Sequence, residues 1–249
     1  MKGVVLCGGT GSRLDPLTRV TNKHLLPVYD RPMVFYPLRT LVDAGIRDIM
    51  LVTGGNNAGE FVPLLGNGSA FGLKHLNYTH QKGAGGIADA LRLCEDFVGE
   101  DRVAVILGDN IFGEAMGRLL REESREGPDA PARVFLKQVE HPERFGVADL
   151  RGDRVVRIVE KPRRPRSRWA VTGLYVYDAR VFRFIRSLRP SARGELEITD
   201  VNNMYLAAGA LRCRRLGAGI SWTDAGTFDS LLHANNLVAR RGRRRRGAR

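Results

Sequence analysis

The stretch that decides the fold is Val4-Val5-Leu6-Cys7-Gly8-Gly9-Thr10-Gly11-Ser12-Arg13, an apolar strand that runs directly into a glycine-rich turn. Glycines let backbone N–H groups approach phosphate oxygens, because no Cβ stands in the way. A helix that began after the turn would add its positive N-terminal end. Arg13 and, ten residues later, Lys23 would supply full charges. The spacing matches neither the Walker loop nor the G-x-G-x-x-G dinucleotide fingerprint. It therefore predicts a polyphosphate site of another kind.

Strand and helix signals alternate through the first part of the chain. Continuous apolar runs predict strands that are buried on both faces, and apolar residues at helical spacing predict the helices between them. The predicted strands are residues 3–7, 48–53, 74–78 and 103–107, and the predicted helices are residues 34–44, 58–65 and 87–97. Such alternation is typical of an α/β fold with a parallel sheet and helices on both faces. Ligands of these sheets bind beyond the carboxyl ends of the strands, which is where the glycine turn lies.

The second part of the chain is richer in predicted strands. These are residues 133–138, 146–149, 155–159, 170–177, 211–215 and 221–224, with helices at 180–188, 200–208 and 229–239. No Pro/Gly-rich linker separates the two parts. We therefore expect one continuous sheet and a single domain over residues 1–239.

The net charge of +13 raises the possibility of a nucleic-acid-binding protein. Seven of the excess positive charges lie in residues 240–249, which contain seven arginines and no acidic residue. Such a block repels itself, so we expect a disordered tail that touches RNA or anionic surfaces weakly or only adds solubility. Binding of single-stranded nucleic acid favours basic residues interleaved with aromatic ones, and this sequence does not show that pattern.

Membrane and secretion signals are not predicted. No run of about 18 apolar residues is present, and the first strand begins too early for a signal peptide. The three cysteines are scattered without metal-ligand spacing, which indicates reduced thiols and a cytoplasmic protein.

Two aspartates follow predicted strands beside glycine. Asp109 lies in Leu107-Gly108-Asp109-Asn110, and Asp224 lies in Trp222-Thr223-Asp224-Ala225-Gly226-Thr227. Mg²⁺ is commonly held by one or two carboxylates together with substrate phosphates, so these two residues would suffice. Either aspartate alone also fits an ordinary turn. Glu160-Lys161-Pro162 closes another strand and could bind sugar hydroxyls and a phosphate, or it could be an exposed ion pair before a turn.

These motifs occur together in an order that resembles a known family. The runs that carry the resemblance are residues 8–14 with 16–18, 26–30, 107–110, 160–162, 171–175, 194–202 and 222–227. They resemble the sugar-1-phosphate nucleotidyltransferases, and among these the glucose-1-phosphate thymidylyltransferase subgroup, over residues 3 to about 238. The resemblance implies a Rossmann-like three-layer α/β/α fold with a mostly parallel central sheet. It also implies a nucleotide-binding half (about 1–110), an inserted β-rich sugar-phosphate-binding half (about 111–228) and a closing helix (229–239).

The resemblance implies a reaction as well. A sugar 1-phosphate, here glucose 1-phosphate, and a nucleoside triphosphate, here dTTP, would give dTDP-glucose and pyrophosphate with Mg²⁺ as the cofactor. Because the sugar phosphate is already anionic, no general base is needed, and catalysis reduces to positioning two anions and neutralising the charge between them. Similarity to the family also implies a homo-oligomer.

Residue roles follow from the resemblance by position. The implied catalytic residues are Arg13, Lys23, Asp109 and Lys161. The implied nucleotide-binding residues are Leu6, Gly8, Gly9, Thr10, Gly11, Ser12, Arg13, Gln81, Gly86 and Asp109. The implied sugar-phosphate-binding residues are Gly146, Glu160, Lys161, Val171 and Tyr175, and the implied metal ligands are Asp109 and Asp224.

The chain departs from the family pattern in three places. His24 stands where members commonly have Gln, and Asp89 stands where they commonly have a second Gln, so another pyrimidine nucleotide (UTP or CTP) is an alternative to dTTP. The chain also ends soon after residue 239, where longer members continue into helices that form a regulatory site. Another hexose 1-phosphate is a further alternative. So is a non-catalytic nucleotide-sugar-binding protein, which would be expected to lack the catalytic cations and aspartates that this chain keeps.

Overall fold

The computed structural model describes the backbone of residues 1–55 and 57–246 and the side chains of residues 1–55 and 57–241. Its strands are β1 (Lys2–Cys7), β2 (Pro27–Val28), β3 (Arg31–Pro32), β4 (Asp48–Gly54), β5 (His75–Gln81), β6 (Val103–Leu107), β7 (Asn110–Phe112), β8 (Ala132–Gln138), β9 (Gly146–Arg151), β10 (Arg154–Glu160), β11 (Trp169–Tyr177), β12 (Leu211–Arg215) and β13 (Trp222–Asp224). Its α-helices are α1 (Phe35–Asp43), α2 (Phe61–Leu65), α3 (Ile87–Arg92), α4 (Glu95–Val98), α5 (Ala115–Glu123), α6 (Arg180–Ser187), α7 (Ile198–Ala207) and α8 (Phe228–Arg246).

The main sheet joins the two halves of the chain. Its strand order is β10-β9-β11-β6-β1-β4-β5, and a branch adds β8 beside β11 and β12 beside β8. Strands β5, β4, β1 and β6 are parallel, whereas β11 runs antiparallel to β6. The α/β fold with a mostly parallel central sheet is therefore confirmed, and β1 lies at its centre.

Alternate residues of β1 enter two separate cores, because successive side chains of a strand point to opposite faces. Val4 and Leu6 belong to a core that contains residues of α3, α6 and α7. Val5 and Cys7 belong to a core that contains residues of α1, α2 and α5. Helices on both faces give the three layers, and they leave the carboxyl end of β1 as an open edge.

A third apolar cluster lies beside that edge. It contains Leu14 from the glycine turn, Ile111 from β7 and Ala234 from α8. Strand β7 pairs with β13, so that Asp224 lies opposite Asn110. The cluster and this small ribbon bring the C-terminal helix and Asp224 to the glycine turn.

Several predicted boundaries differ from the structure. The helix predicted at 87–97 is divided into α3 and α4, and β7 and α5 were not predicted. The helix predicted to end at residue 239 continues to Arg246, so residues 240–246 are helical rather than disordered. Arg241 contributes by donating to the carbonyl oxygen of Phe112 (3.2 Å) and to Ser221 Oγ. The rest of the predicted tail, residues 247–249, lies outside the described residues. Among the described helices, none has the length and apolar character that a membrane span requires.

Candidate active site

The glycine turn after β1 has a backbone that favours glycine. Gly9 and Gly11 have φ angles of 93° and 66°, in the left-handed region that residues with a Cβ rarely adopt. Gly11 is followed by a single 3₁₀ turn, Ser12–Leu14, and the first α-helix begins only at Phe35. The expected helix directly after the turn is therefore absent from this described segment, and any anion there would meet loop N–H groups and side-chain cations.

A second glycine pair supports the turn from behind. A Cβ on Gly54 would lie 3.0 Å from Gly8 Cα, and a Cβ on Gly55 would lie 2.9 Å from the carbonyl oxygen of Gly9. Contacts this short require glycine, so the ends of β1 and β4 pack backbone against backbone. Sequence analysis did not single out Gly54 and Gly55, which follow the predicted strand at residues 48–53, and so missed this supporting role.

Lys23 and Asp109 form an ion pair at the mouth of the site. Lys23 Nζ lies 2.6 Å from Asp109 Oδ2, and each side chain is only 13% exposed. Burial alone would raise the pKa of Asp109, but the ammonium of Lys23 and the hydrogen bonds to this carboxylate outweigh it and hold the pKa well below its usual range. The structure thus brings together two residues that are 86 positions apart in the chain and holds the carboxylate in its charged form.

Asn110 fixes the segment that carries Asp109. Its Nδ2 donates to Asp109 Oδ1 (2.9 Å), while its Oδ1 accepts from the backbone N–H of Gly173 (3.0 Å) and from Trp222 Nε1 (2.7 Å). Gly173 has to be glycine, since a Cβ there would lie 2.7 Å from the Asn110 amide. One side chain therefore ties β7, β11 and β13 together beneath the carboxylate.

Asp224 approaches the same place from β13. Oδ2 of Asp224 and Oδ2 of Asp109 lie 3.3 and 3.4 Å from the position that a Cβ on Gly226 would occupy, and Nη2 of Arg13 lies 3.1 Å from it. Burial and the neighbouring charge of Asp109 raise the pKa of Asp224, whereas Arg144, 3.1 Å away, lowers it. Two carboxylates that face each other and repel are a donor set suited to a hard divalent cation. The residues present therefore fit the expected metal, although no group of three or more His, Cys, Asp or Glu side chains suited to a metal occurs in the described part of the chain.

A cleft opens beside the glycine turn, and we call it the loop cleft. Eight of the residues assigned to nucleotide binding or catalysis line it, namely Leu6, Gly8, Gly9, Arg13, Lys23, Gln81, Gly86 and Asp109. Thr10, Gly11 and Ser12 are not among its lining residues. The carbonyl oxygen of Gly11 instead accepts from Thr18 Oγ1 (3.1 Å), which holds the far side of the turn.

His24, the first departure from the family pattern, is an internal anchor. Its ring is only 2% exposed, and its Nδ1 lies 2.9 Å from Asn22 Oδ1. Asn22 in turn donates to the carbonyl oxygen of Gly54 (3.0 Å). Burial and the ammonium of Lys23 lower the pKa of His24 to about 3, so the ring is neutral at physiological pH. His24 therefore links Lys23 to the supporting glycines and adds no charge to the cleft.

A second cavity, which we call the β-side cavity, adjoins the loop cleft. All five residues assigned to the sugar phosphate line it, namely Gly146, Glu160, Lys161, Val171 and Tyr175. Burial and the charge of Glu160 raise the pKa of Tyr175, so its phenol stays neutral. Glu160 Oε2 accepts from Thr199 Oγ1 (2.6 Å), while Oε1 lies 3.8 Å from Lys161 Nζ. Lys161 itself has a φ of 40°, a strained value that often marks functional positions.

Sequence reasoning missed several charged residues of the β-side cavity. Arg193 lines it and lies 2.8 Å from Glu197 Oε2 and 3.5 Å from Glu160 Oε1. Arg144 also lines it and pairs with Asp224. Both arginines stand next to motifs that were recognised, Gly194–Asn202 and Gly146. Their position at the edges of those motifs was the only sequence feature that could have identified them as site residues.

The two cavities share part of their walls. Arg13, Ile87, Leu107, Asp109 and Glu195 line both. A polyphosphate in the loop cleft and a phosphate in the β-side cavity would therefore meet beside Arg13 and Asp109. This arrangement can hold two anions end to end and neutralise the charge where they touch.

Comparison with known proteins gives a consistent result. The sequence profile of the Nucleotidyl transferase family matches residues 2–241. The glucose-1-phosphate thymidylyltransferase of Neisseria meningitidis serogroup A is 49% identical over 96% of this chain and 82% of its own length. The glucose-1-phosphate thymidylyltransferase of Mycolicibacterium smegmatis is 47% identical, with the same coverage of both chains.

Solved structures agree with these relatives. A candidate glucose-1-phosphate thymidylyltransferase from Bacillus anthracis is 51% identical and superposes with a TM-score of 0.88, covering 95% of this chain and 94% of its own. A UDP-glucose pyrophosphorylase in complex with UDP-glucose has a TM-score of 0.79 over 96% of this chain and 98% of its own. Its identity is 22%, so that likeness concerns the fold alone.

Proposed function

The chain belongs to the nucleotidyl transferase family, and we propose that it transfers a thymidylyl group from dTTP to glucose 1-phosphate, giving dTDP-glucose and pyrophosphate. The observation that carries the proposal is the junction of the two cavities at Arg13 and Asp109. The close relatives named for this activity support the choice of substrates. A non-catalytic homologue is disfavoured, because Arg13, Lys23, Asp109 and Asp224 are all present and lie close together.

The reaction is an in-line displacement at the α-phosphorus of dTTP. An oxygen of the sugar phosphate forms the new P–O bond, while the bond between the α-phosphorus and the oxygen that bridges to the β-phosphate breaks. Pyrophosphate leaves with that electron pair. The attacking oxygen already carries negative charge, so no side chain has to accept a proton.

Each cationic group would neutralise a different phosphate of the two substrates. Arg13 and the N–H groups of the glycine turn would hold the triphosphate and the departing pyrophosphate. Lys23, held by Asp109 at 2.6 Å, would neutralise the α-phosphate, where charge grows in the transition state. Lys161 and Arg193 line the β-side cavity and would hold the phosphate of the sugar.

Members of this family generally use a divalent metal. We infer that the metal here is Mg²⁺ and that Asp109 and Asp224 hold it. When bound, it would neutralise charge on the phosphates. The other residues implied by the resemblance complete the two pockets: Gln81 and Gly86 would contact the base, and Gly146, Glu160, Val171 and Tyr175 would surround the sugar.

The proposal also covers the location of the enzyme in the cell and its oligomeric state. Cys7, Cys94 and Cys213 are all free thiols, which supports the inferred cytoplasmic location. The inferred homo-oligomer rests on the family resemblance.

Pyrophosphate release tests the reaction directly. The enzyme is incubated with glucose 1-phosphate, Mg²⁺ and either dTTP, UTP or CTP, with matched reactions that lack the sugar phosphate. We expect release that depends on both substrates and is fastest with dTTP. Release with UTP or CTP but not dTTP would overturn the thymidylyl assignment and keep the reaction class. No release from glucose 1-phosphate with any of the three nucleotides would overturn the proposed reaction itself.

A further inference from the structure

The amide of Gln81 is fixed by two groups that can only accept hydrogen bonds. Its Nε2 donates to Asp89 Oδ2 (2.8 Å) and to the carbonyl oxygen of Gly86 (3.0 Å). An amide nitrogen has two protons, so these contacts use both of them. A flipped amide would place its oxygen against two acceptors. The hydrogen-bond network therefore determines which end of the amide is the nitrogen.

The oxygen of the same amide faces the loop cleft. A Cβ on Gly8 would lie 2.7 Å from Gln81 Oε1, and Gly8 and Gln81 both line the cleft. The Gln81 side chain is almost fully buried, with 4% of the residue exposed. Because Gly8 has no side chain, the approach to Oε1 stays open. Gln81 thus presents an acceptor, and not a donor, to a ligand in this cleft.

Asp89 is itself held in place from the solvent side. Its Oδ1 lies 2.8 Å from Arg92 Nη2, one turn later in α3, while its Oδ2 faces Gln81. The ion pair with Arg92 compensates the charge of the Asp89 carboxylate beside the loop cleft. Residue 89 is therefore a positioning residue that acts through Gln81.

We propose that Asp89 locks the Gln81 amide with its oxygen towards the base, and that this lock selects bases with a proton on N3, thymine and uracil, over cytosine. The proposal rests on the proposed function, because it assumes that a nucleoside triphosphate occupies the loop cleft. It adds a residue that sets base specificity.

The selection follows from the hydrogen-bonding edges of the pyrimidines. In thymine and uracil, N3–H is a hydrogen-bond donor on the edge of the base that would face Gln81. It would donate to Gln81 Oε1. In cytosine, N3 carries a lone pair, so two acceptors would face each other. The 4-amino group of cytosine lies one ring position away and reaches the same oxygen only if the base shifts in the cleft. A site built to accept a proton disfavours a ligand that lacks it, because a buried polar group is left unpaired.

A double-mutant cycle tests the lock. The variants are Asp89→Asn, which has nearly the same shape but can also donate, Gln81→Met, which has no polar atoms to orient, and the double variant. Asp96→Asn, an exposed acid on the neighbouring helix α4, is the matched control. For each protein, kcat/KM is measured with dTTP, UTP and CTP, and Kd for dTTP and CTP is measured without glucose 1-phosphate. Thermal unfolding confirms that each variant is folded.

We expect the wild type to prefer dTTP and UTP to CTP, and Asp89→Asn to lower the dTTP-over-CTP ratio about tenfold, in line with the loss of one defined hydrogen-bond partner. In the Gln81→Met background, the Asp89→Asn change should leave that ratio unaltered. The control should resemble the wild type.

Three results would overturn the lock: equal use of dTTP and CTP by the wild type, an unchanged ratio in Asp89→Asn, or the same fall in the Gln81→Met background. The binding measurements separate the lock from the reaction. Selective binding of dTTP without pyrophosphate release would support the lock and contradict the proposed function. Pyrophosphate release without base selectivity would support the proposed function and contradict the lock.

Discussion

The two sides of the site are built in different ways. On the nucleotide side, polar groups are buried and paired inside loops that follow parallel strands, as in the Lys23–Asp109 pair with both side chains 13% exposed. On the sugar side, charged groups from antiparallel strands and a loop form a more open network, in which Arg193 is 38% and Lys161 is 48% exposed. A rigid, buried arrangement suits charge that develops in the transition state, whereas an open one suits binding of a ground-state anion. Substitutions on the two sides should therefore affect different kinetic constants.

The largest effect is expected from Lys23→Ala. Loss of a preorganised cation beside the α-phosphate should lower kcat on the order of 1,000-fold, as removal of single transition-state donors does in other enzymes. It also leaves the Asp109 carboxylate without its main partner, so the melting temperature should fall. Steady-state kinetics and thermal unfolding provide the measurements. Lys74→Ala, an exposed lysine before β5, serves as the control. A variant with wild-type kcat and a raised KM would show that Lys23 contributes to substrate binding but not to stabilisation of the transition state.

Asp224→Asn tests the point where the two sides meet. The amide keeps the shape but removes one of the two converging negative charges, so activity at low Mg²⁺ should fall about 100-fold and recover in part at high Mg²⁺. The measurement is a titration of rate against Mg²⁺ concentration, with Asp96→Asn beside it. Wild-type rates with an unchanged Mg²⁺ dependence would remove Asp224 from the metal site.

The difference between the nucleotide side and the sugar side also explains which parts of the site could be predicted from the sequence. The glycine turn, Lys23, Asp109 and the parallel strands were readable because each lies in a short local pattern at the end of an apolar run. The pairing of Lys23 with Asp109 was not readable, since it depends on how β1 and β6 lie side by side. Arg144, which precedes β9, and Arg193, in the loop between α6 and α7, have no local pattern of their own and reach the site only through tertiary packing. The helical continuation through residues 240–246 was not predicted, because a count of like charges does not reveal the contact of Arg241 with Phe112 and Ser221.

On the sugar side, Lys161→Ala should change binding more than turnover. Loss of one charged hydrogen bond to the sugar phosphate should raise KM for glucose 1-phosphate about 30-fold, with kcat affected far less. KM for dTTP should stay close to the wild-type value. Arg163→Ala removes an exposed cation two residues away and is the matched control. If kcat fell as strongly as in Lys23→Ala, the contrast between the two sides would not hold.

Buried polar groups should also make the nucleotide side sensitive to acid. The pKa of His24 is lowered to about 3 in the folded state, so between about pH 6.5 and 3 the unfolded chain binds a proton that the folded chain excludes. Stability is therefore lost as pH falls through this window, by about 2 kcal/mol between pH 7 and 5 for this one group. His24→Gln should remove that part of the loss. Urea unfolding of both proteins at pH 7 and pH 5 gives the comparison, and an equal loss in both would refute the role of His24.

The smallest and most specific effect is expected from Gly8→Ala. Gly8 does not have a positive φ, so alanine fits the backbone, but its Cβ would lie 2.7 Å from Gln81 Oε1. Because Asp89 and Gly86 hold the other end of that amide, the oxygen cannot simply turn away, and KM for dTTP should rise about fivefold with KM for glucose 1-phosphate unchanged.

Gly9→Ala is the matched comparison variant. Its φ is 93° and a Cβ there would contact nothing within 4 Å, so it should lower stability through backbone strain. If both variants raised KM for dTTP alike, the nucleotide side would be sensitive to any disturbance of the turn. Only a rise confined to Gly8→Ala would show that the oxygen of Gln81 at the loop cleft contacts the base.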